Sequence, residues 1–93
     1  MKEVALQFVT YDEKQKEITD RLIKIRKSKK ISQKRLSAIS GVSYASIRRF
    51  EKTGEISFSS FIKIALSMRL YDDLDNLFKI NKTYTSIEEA LND

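Results

Sequence analysis

Arg48 and Arg49 stand side by side shortly after the Gly41-Val42-Ser43 break, and with Lys34 they are the residues best equipped for chemistry. A guanidinium is a rigid fork of N–H donors, matched to the paired acceptors of a carboxylate, a phosphate or the edge of a guanine. Recognition of anions and acceptor edges is therefore the chemistry on offer. Covalent catalysis has little to work with. The chain has no Cys and no His, which removes thiol chemistry, the common transition-metal sites and histidine acid/base steps. No group of residues makes a recognisable nucleophile, base and orienting partner, so no enzyme, no cofactor and no metal is expected.

The charges are unevenly placed. Between Lys24 and Lys52 ten basic residues stand against Glu51 alone, a local balance of +9 in a chain whose total is +5, so the flanks together carry −4. Such a split points to a middle that faces a polyanion and flanks that do not. A bare run of lysines is ordinarily just a solvated surface; this one encloses a motif. No apolar run approaches the roughly 20 residues of a membrane span. The start MKEVALQFVTYDEK lacks a basic region followed by an uninterrupted apolar stretch, so a soluble, cytoplasmic protein is expected.

The stretch Gln33 to Glu51 reads as two short helices joined at Gly41-Val42-Ser43. Ser32 is placed to cap the first, with Leu36 and Ile39 turned inward, and Gly41 to close it in a left-handed conformation. Ser43 is placed to cap the second. With Ile47 as the inward reference, Phe50 falls at about −60° and Glu51 at about +40°, while Ala45 and Arg49 fall at about 160° and 200°. Arg48 lies at the flank and Tyr44 projects from the helix start. Two helices so arranged, the second presenting arginines outward, have the layout of a helix-turn-helix that enters the DNA major groove. Glu51 turns inward and so does Arg26, four residues after Leu22. A buried charge requires a partner, and pairing the two ties the recognition helix to the helix before it.

The elements that must hold this motif follow from the rest of the chain. Ninety-three residues with two Gly and no Pro fit one small, mostly helical domain. Its modest core makes a dimer a reasonable expectation. Asp12 is expected to cap a first helix running to about Lys27, with Ile18, Leu22 and Ile25 as its buried stripe. Ser28 to Ile31 form the first turn. Ser57 caps a fourth helix with Phe58, Phe61, Ile62, Ala65 and Leu66 on one apolar face, and Asp72 caps a fifth carrying Leu74, Leu77 and Phe78. The domain proper then spans residues 12–79. Residues 1–11, where Val4, Leu6 and Phe8 alternate with Ala5, Gln7 and Thr10, read as a strand or as a loose arm. A strand there could pair with its counterpart in a dimer or with Lys82 to Thr85. The tail, residues 80–93, carries a capping signal, Ser86-x-x-Glu89, before Ala90 and Leu91, which predicts a short helix and a partner surface.

From Leu22 to about Phe78 the chain resembles the Cro and xenobiotic-response-element family of prokaryotic helix-turn-helix regulators, the group that includes phage repressors. The residues that carry the likeness are Arg26, Ser32-Gln33-x-x-Leu36, Gly41-Val42-Ser43, Ile47, Phe50-Glu51 and Gly54. The resemblance implies an all-α, five-helix lambda-repressor-like DNA-binding domain, with the N-terminal strand and short C-terminal helix as additions. It implies a homodimer on double-stranded DNA, repressing from a palindromic operator. Gln33 would touch phosphate and buttress the recognition helix, and Ser43 and the basic cluster that includes Lys34 would also meet phosphates. Tyr44, Ala45 and Arg49 would face base edges with Ser46 and Arg48 at the margins, and Arg26 and Glu51 would form the buried pair.

Two positions depart from the family pattern. Ser37 replaces an Ala and remains small. Lys30 replaces a Gly in the first turn, where it must accept strain or change the turn. The segment from Leu70 onward looks like the extension on antitoxin-type regulators of the HipB kind, which partner a HipA-like kinase toxin. That likeness supports a second expectation from another class: a protein-interaction module that holds a toxin, with DNA binding secondary.

Overall fold

Thr10, Ser32, Ser43 and Ser57 each precede a helix in an extended conformation. Each accepts a hydrogen bond from the N–H three residues on, at 3.2, 3.0, 3.1 and 3.2 Å respectively. Caps of this kind contribute about 1 kcal/mol each by satisfying a donor that the helix leaves open. The computed structural model describes residues 9–80 and residue 91. The four capped helices are α1 (Tyr11–Ser28), α2 (Gln33–Ser40), α3 (Tyr44–Thr53) and α4 (Phe58–Ser67), and α5 (Tyr71–Asn76) follows without a side-chain cap.

The chain is thus all-helical, with five helices and no strand among the described residues, compatible with a lambda-repressor-like domain. Two expected caps are corrected. Asp12 lies inside the first turn of α1, because the Thr10 hydroxyl already reaches the Glu13 N–H. Asp72 lies inside the first turn of α5, with Leu70 at the cap position. Both carboxylates still favour their helices by lying near the positive end of the dipole. The expected strand over residues 1–11 falls mostly outside the described residues, as does the expected C-terminal helix except for Leu91, whose backbone is helical.

The helices end in left-handed turns. Gly41 at φ 76° and Gly54 at φ 82° close α2 and α3, and Gly54 donates to the Phe50 carbonyl at 2.6 Å. Lys30 (φ 58°) follows α1 and Arg69 (φ 63°) follows α4 in the same conformation. Around each, the next residue donates to a carbonyl one turn back: Ile31 to Arg26 at 3.1 Å and Leu70 to Ala65 at 3.0 Å. The first turn therefore keeps its shape, and Lys30 bears a left-handed penalty of about 1–2 kcal/mol.

Leu22, Leu36, Val42, Ile47, Phe50, Ile64 and Met68 form the core, with Ile25, Ile31, Ile56, Phe61 and Leu70 packed around it. Phe50 and Phe61 meet edge to face, ring centres 6.4 Å apart, an arrangement aromatic quadrupoles favour. α2 packs against α3 and α4, α1 against α3, and α5 against α4.

Several expected core positions are exposed instead. On α1 the inward stripe is Thr19, Leu22 and Arg26, and Ile18 lies at the surface. The helix is rotated by its polar ties: Gln15 Nε2 donates to the Gly54 carbonyl at 2.6 Å and Arg26 reaches α3. The buried Thr19 hydroxyl is satisfied by the Gln15 carbonyl at 2.8 Å. Ile39, in the last turn of the short α2, is also exposed.

On α4 the buried face runs through Phe61, Ile64, Ala65 and Met68, leaving Leu66 outside and Phe58, in the first turn, 75 % exposed. Phe58 instead lines an apolar groove of about 300 Å³ with Ile18, Ile56 and Phe61. Leu77 and Phe78 lie past the end of α5, where helical periodicity no longer places them, and Phe78 is 91 % exposed. On the surface of α1, Lys14 and, less strongly, Arg21 hold the Glu17 carboxyl below its ordinary range.

The two glycines differ in what a side chain would meet. A Cβ at Gly54 would come within 3.2 Å of Gln15 Cγ and Thr19 Oγ1, whereas one at Gly41 would enter open space. Gly41→Ala is expected to cost about 1 kcal/mol from backbone conformation alone, and Gly54→Ala clearly more. Urea unfolding of the two variants compares them; equal losses would mean that α1 is not tightly seated on the end of α3.

Candidate nucleic-acid interface

The interface is built outward from a buried carboxylate. Arg26 on α1 donates from Nε to Glu51 Oε2 at 2.7 Å and from Nη2 to Glu51 Oε1 at 2.9 Å, a bidentate ion pair. Both side chains are about nine-tenths buried. Arg26 Nη1 also donates to the Ile31 carbonyl at 2.8 Å, and Gln33 Nε2, from the first residue of α2, donates to Glu51 Oε1 at 2.8 Å. Among the described residues no buried side-chain polar atom lacks a partner. The desolvation of a buried charge is offset only by such geometry. Its structural effect is to fix the rotation of α3 about its own axis.

With Ile47, Phe50 and Glu51 turned inward, Ala45, Arg48, Arg49 and Lys52 are left on the exposed face of α3. They line a groove of about 460 Å³ together with Gln33, Glu51 and Thr53. Gln33 is therefore at the groove and committed to Glu51 at its amide nitrogen.

At the start of α3 the Ser43 hydroxyl accepts from Ser46 N at 3.1 Å and donates to Ser46 Oγ at 2.8 Å. Ser43 is thus occupied by the cap. An anion arriving there would meet the Ser46 hydroxyl and the open N–H groups of the first turn. The Tyr44 ring is partly exposed and has two cations near it, with Lys34 Nζ 5.7 Å and Arg48 Cζ 5.6 Å from its centre. Each contact is worth about 0.5–1 kcal/mol at an exposed site, and together they gather a charge from α2 and a charge from α3.

Arg49 Nη2 donates to Glu55 Oε1 at 3.0 Å, with the two side chains 64 % and 61 % exposed. Ser46, Arg49 and Glu55 share a smaller recess with Ile56, Ser57 and Ser60. Glu55 is the residue that the motif gave no reason to single out. The signal available was an acid immediately after the helix-closing glycine of a basic stretch. Gln33, Ala45, Arg48 and Arg49 are thus brought to one groove, Lys34, Tyr44 and Arg48 to one cluster, and Ser43 and Ser46 to one helix start, joined through Arg48 and Arg49. Among the described residues no cluster of three or more potential ligands could hold a metal ion, and no helix is long and apolar enough to cross a membrane.

A family model described as helix-turn-helix matches residues 22–70, from within α1 to the residue before α5. No curated protein and no solved structure matches the chain.

The buried pair generates a stability prediction. Arg26→Ala leaves the Glu51 carboxylate buried without its main partner and is expected to cost roughly 3–5 kcal/mol. The double variant Arg26→Met, Glu51→Leu should recover most of that loss, since an apolar pair can replace a buried ionic one. Denaturant midpoints decide: an unchanged midpoint for Arg26→Ala would show that the pair does not hold α1 to α3.

Proposed function

We propose that this chain, which belongs to the helix-turn-helix family of DNA-binding transcription regulators, is a repressor that binds a palindromic operator as a homodimer. The observation that carries this reading is the division of α3. One face is fixed in the core through Glu51, and Ala45, Arg48, Arg49 and Lys52 are left outward within the most basic stretch of the chain.

In the groove, Arg49 donates a bidentate pair to guanine N7 and O6, a contact worth about 1–3 kcal/mol of discrimination. Ala45 presents only a methyl group and lets the helix approach closely. Lys34 and Arg48, gathered on Tyr44, meet phosphates, as do the amide hydrogen of Gln33 that Glu51 does not take and the Ser43 to Ser46 helix start. These contacts release counterions and make affinity fall steeply with salt. Tyr71, Leu77, Phe78 and Ile80 are large, exposed apolar side chains at the end of the domain, which supports a contact with a second copy. Two copies would read half-sites about one helical turn apart.

The same exposed residues, with the tail that follows them, also favour a second reading. In it the chain is an autoregulatory antitoxin whose C-terminal part binds a toxin, such as a HipA-like kinase.

Two measurements test these readings. Arg49→Ala should reduce discrimination between the operator and a scrambled duplex by about 5- to 150-fold. Lys34→Ala should weaken both about equally and lower the salt slope by about one. Discrimination that survives Arg49→Ala rules out the base-reading role. For the apolar end, sedimentation of Phe78→Ser should give half the mass of the parent chain; a parent that is already monomeric would leave this face to a different protein.

A further inference from the structure

We propose that Glu55 is a specificity-determining residue, holding the Arg49 guanidinium in the orientation in which it reads a base. The inference rests on the reading of Arg49 given above. Glu55 lies six residues after Arg49, beyond the end of α3, and a continuing helix would carry it to another side. It reaches Arg49 because the chain reverses at Gly54 (φ 82°). The reversal is pinned from three sides. Gln15 on α1 donates to the Gly54 carbonyl at 2.6 Å, Thr53 Oγ1 donates to the Arg49 carbonyl at 2.7 Å, and Glu55 N donates to Thr53 Oγ1 at 3.1 Å. The carboxylate is thus launched from fixed backbone toward a residue of the reading face.

As a stabilising contact the pair is weak, since both side chains are largely in water. As an aid to affinity it is counterproductive, because it sets a carboxylate beside the surface that meets phosphates. Its consequence lies in direction. Arg49 binds Glu55 through Nη2, and both terminal nitrogens keep further hydrogens, which leaves a forward pair free for N7 and O6 of one guanine. A long side chain that would otherwise sample many rotamers is held ready by a neighbouring contact, which favours one binding geometry over others. The same carboxylate repels DNA in wrong registers, where no guanine compensates for the phosphates it faces.

The test uses the full chain and two duplexes: one selected by the parent from a random pool, and a scrambled one of the same composition. Glu55→Gln keeps the shape and removes the charge. It should bind the scrambled duplex more tightly with a salt slope steeper by about one. The ratio of selected to scrambled affinity should fall by about fivefold or more, mostly at the base pair that Arg49 reads. In an Arg49→Ala background, Glu55→Gln should reduce the ratio no further. These readouts compare base pairs, so a general loss of fold stability does not mimic them. If Arg49→Ala lowers discrimination and Glu55→Gln leaves the ratio unchanged at every base pair, the role of Glu55 is overturned and that of Arg49 stands. If Arg49→Ala itself is silent, both fall.

Discussion

Three helices converge on the Glu51 carboxylate, and the rest of the domain takes its alignment from that point. Arg26 brings α1, Gln33 brings α2, and Glu51 belongs to α3. Arg26 also takes the Ile31 carbonyl, which closes the turn leading into α2. Apolar burial supplies most of the favourable free energy of such a small core, but burial is not directional. Packing of Leu22, Leu36, Ile47 and Phe50 buries one side of α3 but sets its rotation less sharply than a directional contact does. A bidentate pair tolerates no such freedom, because its hydrogen bonds require the fork and the carboxylate to share a plane. The pair therefore sets which residues of α3 face outward. The exchange is a real one: an apolar replacement can match the stability of a buried ion pair, yet it would leave the rotation of α3 to packing alone.

The turns extend the same constraint to the ends of the helices. Gly54 combines a left-handed backbone with a close approach from Gln15 and Thr19, so both its conformation and its lack of a side chain are required. Lys30 and Arg69 occupy the same backbone region without a glycine. Each carries its strain next to the negative end of a helix dipole, where a cation is favoured, and that attraction offsets part of the cost.

Local chemistry is what the sequence conveyed best. Ser32, Ser43 and Ser57 are legible as caps, and Gly41 as a left-handed terminus, because each acts within a few residues of itself. Arg26 and Glu51 fall on otherwise apolar helix faces, so their meeting follows from the helical repeat and the cost of a lone buried charge. The pattern of the first helix is ambiguous. Ile18, Leu22 and Ile25 make one acceptable stripe and Thr19, Leu22 and Arg26 another, and the choice rests on a hydrogen bond from Gln15 to Gly54 that spans 39 residues. Phe58, Leu77 and Phe78 sit at or beyond helix ends, where an apolar residue type gives no direction. Gly54 belongs to the motif, but nothing local to it shows that its turn brings Glu55 back to Arg49.

Within the basic middle of the chain the charges are not equivalent. Arg26 is spent in the interior, where it orients a helix. Lys34 and Arg48 rest on Tyr44, and Arg49 on Glu55, all at the surface. The surface contacts are worth up to about 1 kcal/mol each, while a matched base contact is worth about 1–3 kcal/mol. On the proposed reading, that ordering of magnitudes is what lets the arrangement work. The inner pair is too costly to break and keeps α3 fixed as the protein approaches DNA. The outer contacts limit where the cations can point, yet each can yield to, or be shared with, a phosphate or a base. On the same reading the base contact supplies the preference and the weak partners sharpen it, because they restrict the geometries in which the strong contacts can form.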